Sequence, residues 1–285
     1  MTQTMPGALR GLSPDGRLLF LTRFIRLFAY GSLSVILVFY LVSLGLSESQ
    51  TGLLLSLTLA GDVVVSLFLT TWADRLGRRR MLIVGALLMA GAGVAFVSTR
   101  NFFFLVLAGT IGVISPSGNE VGPFLSIEQA ALSHVVSPKI RTKVFAWYTL
   151  AGSFATALGA LCGGTITHAL QKNVMAPVNS YRVVVVGYAA LGAMLVILFF
   201  RLTPETEVRD FQKDSARNLQ TFFGVGRSHH LVLKLSALFA LDSFAGGFVI
   251  QSFAAYWFYL RFGVNPGTLG AIFFWANVFA GTSGL

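Results

Sequence analysis

The sequence predicts an all-α fold, a polytopic bundle of helices that cross a membrane. Hydrophobic residues make up 55% of the 285 residues and charged residues only 11%, whereas a soluble domain carries about 25% charged residues. The apolar residues form long runs, and the Lys and Arg residues gather in short clusters between them. A helix of roughly 20 apolar residues crosses a hydrocarbon core about 30 Å thick, so lipid is the environment that this composition requires.

Eight apolar runs are predicted to be membrane spans. They cover residues 27–46, 51–72, 81–99, 102–132, 144–168, 182–201, 234–260 and 267–285. The fourth run contains Pro116 and Pro123 in a polar stretch. Proline removes a backbone donor and clashes with the preceding turn, so we predict a kinked helix there. The seventh run is treated as one span.

The longest polar stretch predicts the domain organisation. It covers residues 203–230, mixes both charge signs and contains Pro204. We therefore expect a six-helix bundle over residues 1–202, a cytoplasmic linker over 203–232 and the first two helices of a second bundle over 233–285.

The distribution of cations predicts the orientation. With the N-terminus inside, all but four of the 21 Lys and Arg residues lie on the inner side. The exceptions are Arg100, Lys172, Arg182 and Arg261. Because Lys and Arg accumulate in cytoplasmic loops, the N-terminus is predicted to be cytoplasmic, and we expect the plasma membrane rather than an internal one.

Several function classes are disfavoured. The formal net charge of +10 does not form a basic face with interleaved aromatic residues, so no nucleic-acid partner is expected. The single cysteine, Cys162, excludes an intramolecular disulfide. No nucleotide loop, metal cluster or nucleophile–base set is found, so we expect no cofactor, no metal and no enzyme.

A charged turn follows the second span, with the sequence W-A-D-R-L-G-R-R-R over residues 72–80. It resembles the hallmark G-x-L-A-D-R-x-G-R-K loop between helices two and three of the major facilitator superfamily. The resemblance implies a secondary transporter, and it implies a gating role for Asp74, Arg75, Gly77 and Arg78. In the family the matching Asp is thought to latch the two halves on the cytoplasmic side.

Two other features extend the resemblance. The glycines of the fifth span, from Gly152 to Gly164, resemble the glycine-rich fifth helix of proton antiporters, although the usual proline is absent. Aligning Gly45 with Gly263 pairs the first span with the seventh, as two parallel six-helix halves require. The chain then ends before a second copy of the charged turn, so we expect an incomplete second half without helices nine to twelve.

Carboxylates inside the spans are candidates for proton or substrate binding. Asp62, Glu120, Glu128 and Asp242 lie in apolar runs, where a charge at mid-bilayer costs about 2.5–3.5 kcal/mol on insertion scales. The family lines its cavity with helices one, four, seven and ten, which implies a role for Glu120, its neighbour Asn119 and Asp242. A structural network is the alternative for Glu120, and a solvated cytoplasmic vestibule is the alternative for Asp242. Asp62 is equally well explained by a packing hydrogen bond, and Glu128 is expected at the membrane interface.

Neutral polar side chains complete the predicted site. Gln251 in the seventh span and Tyr30 and Ser34 in the first are expected to supply hydrogen bonds to a substrate. The leading hypothesis is a transporter of a small solute by alternating access, driven by protons. A transporter-derived receptor or scaffold without transport is the alternative, and a membrane-embedded enzyme is disfavoured.

Overall fold

A computed structural model describes residues 12–119, 122–138, 140–173, 175–207, 229–247 and 249–283. This part of the chain contains helices and turns and no strand, which confirms the all-α prediction. The helices are α1 (Pro14–Ser43), α2 (Glu48–Leu76), α3 (Arg78–Ser98), α4 (Phe102–Ile111), α5 (Phe124–Val135), α6 (Arg141–Lys172), α7 (Pro177–Phe199), α8 (His229–Gly246), α9 (Gln251–Phe262) and α10 (Pro266–Ser283), with a 3₁₀ turn at Pro204–Thr206.

Five of the described helices are long and apolar enough to cross a membrane, namely α1, α2, α3, α6 and α7. The other described helices are shorter or less apolar, and α4 is a short apolar helix. The chain is therefore an integral, multi-pass membrane protein. The count differs from the eight predicted spans partly because the fourth and seventh are each divided into two helices.

Helix α1 begins well before residue 27, where the first span was predicted to start. The Ser13 hydroxyl accepts a hydrogen bond from the Gly16 amide at 3.1 Å, and Pro14 occupies the first turn. Serine at the N-cap followed by proline is a strong helix start. As a consequence Arg26, which precedes the predicted first span, lies within the helix and is buried in the bundle.

The fourth span is broken rather than kinked, which corrects the prediction. Helix α4 ends at Ile111 and α5 begins at Phe124, and the residues described between them are not helical. Gly118 and Gly122 have φ of 71° and 98°, and Val113 has φ of 53°. A positive φ is unusual for a β-branched residue. The buried Val113 is held by packing and by a hydrogen bond that its carbonyl accepts from the Tyr188 hydroxyl at 3.1 Å.

The seventh span is also broken, although it was predicted to be continuous. Helix α8 ends at Gly246, α9 starts at Gln251, and the glycine pair 246–247 lies at the break. Glycine weakens a helix interior by about 1 kcal/mol relative to alanine. Helix α9 packs against α1, whereas the described side chains of α8 are exposed.

Helix α6 is the central packing element, because it lies along α1 on one side and along α10 on the other. Both contacts depend on glycine. A Cβ on Gly31 would lie 2.2 Å from the carbonyl oxygen of Thr156, and a Cβ on Gly164 would lie 2.3 Å from that of Pro266. Small residues allow such backbone contact between membrane helices. The glycine-rich fifth span thus joins the six-helix part to the last helix.

Candidate functional site

The two helix breaks meet at the middle of the bundle. The Ser252 hydroxyl, at the start of α9, donates to the carbonyl oxygen of Pro116 at 2.6 Å, and the Ser252 amide donates to the same oxygen at 3.2 Å. Thr156, in the middle of α6, donates to the carbonyl oxygen of Gly118 at 3.3 Å. Backbone groups freed by both breaks are therefore paired across helices, as a non-helical segment at membrane depth requires.

Neutral polar side chains surround this junction. The Gln251 side-chain amide donates to the Ser34 hydroxyl at 2.8 Å, and the Asn277 amide donates to the Gln251 side-chain oxygen at 3.3 Å. Gln251 and Asn277 are partly exposed, whereas Ser34 is buried. Ser34 and Gln251, which the sequence predicts to act together, are therefore in contact, and Asn277 of α10 extends the row.

Tyr30, the third predicted partner, faces a different group. Its side chain is fully buried, and its ring centroid lies 6.3 Å from that of Tyr188 on α7. The Tyr188 hydroxyl lies within electrostatic range of the Tyr30 hydroxyl and of the Asp62 carboxylate. Asp62 lies at the midpoint of α2 and is 1% exposed. Tyr30, Asp62 and Tyr188 thus form a buried group beside the break of the fourth span.

The remaining predicted cavity residues are placed differently. The Asn119 side chain is exposed at the break. Asp242 is exposed on α8, so the structure does not bring it to the junction. Glu120 lies outside the described residues.

A buried ion pair lies between α1 and α5. The Arg26 guanidinium donates two hydrogen bonds to the Glu128 carboxylate, at 2.6 and 2.8 Å, and both side chains are fully buried. The same carboxylate accepts from the Tyr148 hydroxyl and from the Thr22 hydroxyl, the latter at 3.3 Å. The Arg26 guanidinium also lies 4.4 Å from the ring centroid of Phe124. Glu128 is therefore buried between helices and saturated with donors.

The charged turn after α2 closes one end of the bundle, which we name the motif end. Gly77 has φ of 103°, a conformation that favours glycine. Asp74 pairs with Arg78, four residues on, with 3.0 Å between Oδ1 and Nε. Arg75 is exposed, and its guanidinium lies 5.8 Å from the ring centroid of Trp72. In the described part of the chain Asp74 thus pairs within its own turn.

Glu207, which sequence reasoning placed in the linker, caps the helix that follows this turn. Its carboxylate accepts from the Arg78 amide at 2.7 Å and from the Arg79 amide at 3.1 Å. The first amides of a helix lack intrahelical partners, and a carboxylate there also meets the positive end of the helix dipole. The Arg79 guanidinium donates to the carbonyl oxygen of Phe200 at 2.6 Å. The end of α7 and the following residues are thereby joined to the motif turn.

A Glu207→Ala variant should loosen the start of α3. Loss of an N-cap acceptor costs about 0.5–2 kcal/mol, so the amides of Arg78 and Arg79 should exchange hydrogen for deuterium several-fold faster. Hydrogen–deuterium exchange of the peptide over residues 74–82 measures this effect. Glu207→Gln, which keeps one acceptor oxygen, should give an intermediate rate, and unchanged protection in Glu207→Ala would show that the cap does not stabilise the helix.

Sequence reasoning missed several of these residues for identifiable reasons. Ser252 and Asn277 are ordinary polar residues in apolar runs, and their role depends on breaks that the spans concealed. The glycine pair at 246–247, shortly before α9 starts at Gln251, was the available signal for the break in the seventh span. For Arg26 the available signal was the helix start at Ser13 and Pro14.

Comparison with known proteins agrees with this architecture. The sequence profile of the Major Facilitator Superfamily matches residues 19–285. The chain is 32% identical over 288 residues to the uncharacterized membrane protein YJR124C of Saccharomyces cerevisiae, and the alignment covers 92% of this chain. It is 31% identical over 97 residues to the quinolone resistance protein NorA of Staphylococcus aureus, which covers 34% of this chain. The chain spans 64% of the length of the yeast relative, and its alignment with NorA covers 25% of that protein.

Proposed function

The chain belongs to the Major Facilitator Superfamily, and from this membership we propose that it forms part of a secondary transporter that moves a small solute by alternating access. The observation that carries the proposal is the junction of the two helix breaks at the middle of the bundle. Transporters bind substrate near the bilayer midplane between structural repeats, where discontinuous helices expose backbone groups. Ser252 and Pro116 connect the breaks of the fourth and seventh spans in the middle of the bundle.

The side chains at the junction suggest the class of solute. Ser34, Gln251 and Asn277 offer hydroxyl and amide groups, which both donate and accept hydrogen bonds. No charged side chain in the described residues takes part in this row. We therefore propose a solute recognised by neutral hydrogen bonds and apolar contact. The quinolone resistance named for one relative makes fluoroquinolones the first compounds to test.

A flux measurement tests the proposal. The native protein in proteoliposomes, under an imposed proton gradient, should change the internal concentration of at least one compound from a panel that includes fluoroquinolones. Gln251→Ala should reduce that flux, because it removes the hydrogen bond from Gln251 to Ser34 that joins the first and seventh spans. Arg100→Ala, at an exposed loop, is the matched control. A panel without any gradient-dependent flux, for protein of native fold, would favour the receptor or scaffold alternative.

The motif end is proposed to face the cytoplasm and to act in gating. Cations concentrate at this end, as cytoplasmic surfaces of membrane proteins require. The hydrogen bonds that Arg78 and Arg79 donate to Glu207 and Phe200 join the start of α3 to the end of α7 and the residues after it. A rigid end of this kind lets the six helices move as one body against the other half.

The orientation gives a direct prediction. Reporter tags inserted at Gly11 and between Asp210 and Ser215 should both be found in the cytoplasm, whereas a tag at Lys172 should be found outside, because an odd number of crossings separates it from the others. Protease protection of the tagged chains in sealed vesicles reads the side of each tag. A cytoplasmic signal at Lys172 would overturn the assigned number of crossings.

A further inference from the structure

Asp62 is a buried carboxyl group to which the site described so far assigns no role. Its side chain is 1% exposed at the midpoint of α2. Neither of its oxygens has a hydrogen-bond partner among the described residues. The other buried carboxylates among the described residues have hydrogen-bond donors, as Glu128 has in Arg26 and Tyr148 and Asp15 has in Thr203. An ionised group left in this state at mid-membrane would cost several kcal/mol.

The surroundings of Asp62 supply acceptors. Its neighbour Gly61 lies against the backbone of α4, where a Cβ would be 2.0 Å from the carbonyl oxygen of Thr110. Helix α4 ends one residue later, at Ile111. The last turn of a helix presents carbonyl oxygens without intrahelical partners and the negative end of the helix dipole. A neutral carboxylic acid can donate its proton to such an acceptor, whereas a carboxylate cannot.

The charged groups on the helices that pack against α2 are engaged or lie elsewhere. On α5, Glu128 is bound by Arg26 of α1, and His134 is exposed. The charges of α3 lie at the motif end, at residues 78–80, and those of α1 lie in its first half. Two neutral polar side chains of the described residues lie near Asp62. Thr110 of α4 lies against the adjacent Gly61, and Tyr188 of α7, whose ring packs against Tyr30 of α1, lies within electrostatic range of the carboxyl group.

From this geometry we propose that Asp62 is a proton-binding site, occupied by a proton in the described conformation and emptied in another step of the transport cycle. The inference rests on the proposed transport function and names its driving ion. It selects Asp62 from the three carboxylates, Asp62, Glu120 and Asp242, that the sequence predicts as candidates for proton or substrate binding. Asp62 and the bound proton form a neutral acid, and release leaves a carboxylate that needs a donor.

The structure also suggests how release of the proton from Asp62 would affect the junction of the two helix breaks. One donor within electrostatic range of Asp62 is the Tyr188 hydroxyl, which is bonded to the carbonyl oxygen of Val113. If the Tyr188 hydroxyl turned to the ionised Asp62, the Val113 carbonyl would lose its hydrogen-bond donor. Val113 has a positive φ and lies at the start of the break in the fourth span. Three residues later Pro116 holds Ser252 of α9. Proton release is thereby linked to the contact between the two halves.

Infrared spectroscopy of the chain in lipid nanodiscs tests this proposal without any solute. A pH titration should remove one protonated-carboxyl band from the wild-type spectrum as the pH rises, and ¹³C-labelled aspartate should shift that band. Asp62→Asn should lack it at every pH, while Asp74→Asn, a half-exposed carboxylate at the motif end, should keep it. The isotope shift identifies an aspartate even if the Asp62→Asn chain does not fold.

Three outcomes would overturn the proposal. They are an unchanged titrating band in folded Asp62→Asn, a band without an isotope shift, and loss of the band when sodium chloride is added at constant pH, which would identify a metal cation as the ligand. Because the titration requires no flux, its failure leaves the transport proposal standing. Absence of flux with a normal titration would instead reject the transport proposal and leave Asp62 as a proton-binding site without a transport cycle.

Discussion

Replacing Glu128 with alanine is expected to lower the free energy of unfolding by about 3–5 kcal/mol, because it leaves the Arg26 guanidinium buried without its counter-charge. The pair is fully buried and is bonded by two hydrogen bonds of 2.6 and 2.8 Å. The Tyr148 hydroxyl would lose its acceptor as well. Unfolding in mixed micelles by titration with a denaturing detergent measures the change.

A double variant separates the charge from the packing. Arg26→Met with Glu128→Leu removes both charges and keeps much of the volume, and such replacements are often neutral or stabilising. The exposed control is Asp74→Asn, since the Asp74 carboxylate is half-exposed and surface pairs contribute about 0.2–1 kcal/mol. A loss in the double variant as large as in Glu128→Ala would show that shape rather than charge pairing makes the site important.

Replacing Gly164 with alanine is expected to disrupt the contact between α6 and α10. The added Cβ would lie 2.3 Å from the carbonyl oxygen of Pro266 and 2.9 Å from the Cα of Gly270, so the helices must separate. Overpacking costs about 1–3 kcal/mol, which corresponds to a roughly 5- to 160-fold shift toward conformations in which this contact is open.

The readout for Gly164→Ala is the fraction of molecules in which α6 and α10 are in contact, measured by disulfide cross-linking of engineered cysteines at the two helix faces. Gly187→Ala is the matched control, because no atom lies within 4 Å of a Cβ at that helical glycine. Equal cross-linking in both variants would mean that the contact tolerates a side chain and is not a tight closure.

The sequence predicted what composition and short motifs determine. The all-α class, the charged turn and the glycine-rich fifth span need only residue types and spacing, and the turn residues Asp74 and Arg78 are found together. The contact between Ser34 and Gln251 was also accessible, because the resemblance pairs the first span with the seventh. These predictions need only residue types, their spacing and the pairing of spans, and they do not require the positions at which helices end.

The remainder could not be predicted because it depends on where helices stop. A hydropathy run passes through Gly246 without interruption, and the polar stretch at Pro116 predicts a kink rather than a break, so the partners Ser252 and Asn277 went unnoticed. The Arg26–Glu128 pair was missed for the same reason, since the helix start at Pro14 was not used. Long-range partners such as Glu207 require the folded arrangement of α3 and α7.

The end of the bundle opposite the motif end is closed in this conformation. Phe39 of α1 packs edge-on against Tyr256 and Tyr259 of α9, with ring centroids 5.5 and 5.2 Å apart. Gly164 and Pro266 are in backbone contact at the same end. Alternating access requires that these contacts open in another state, whereas a receptor or scaffold does not require it.

The most direct test is therefore a distance measurement across this closure. In the intact native protein, with Cys162 replaced by alanine, spin labels at the exposed positions Ser43 and Arg261 report the separation of α1 and α9 by pulsed electron paramagnetic resonance. The account predicts two distance populations in nanodiscs, a shorter closed one and a longer open one, whose ratio changes with pH and shifts back toward the closed state in Asp62→Asn. A single short distance at every pH would contradict alternating access and identify the protein as a rigid scaffold.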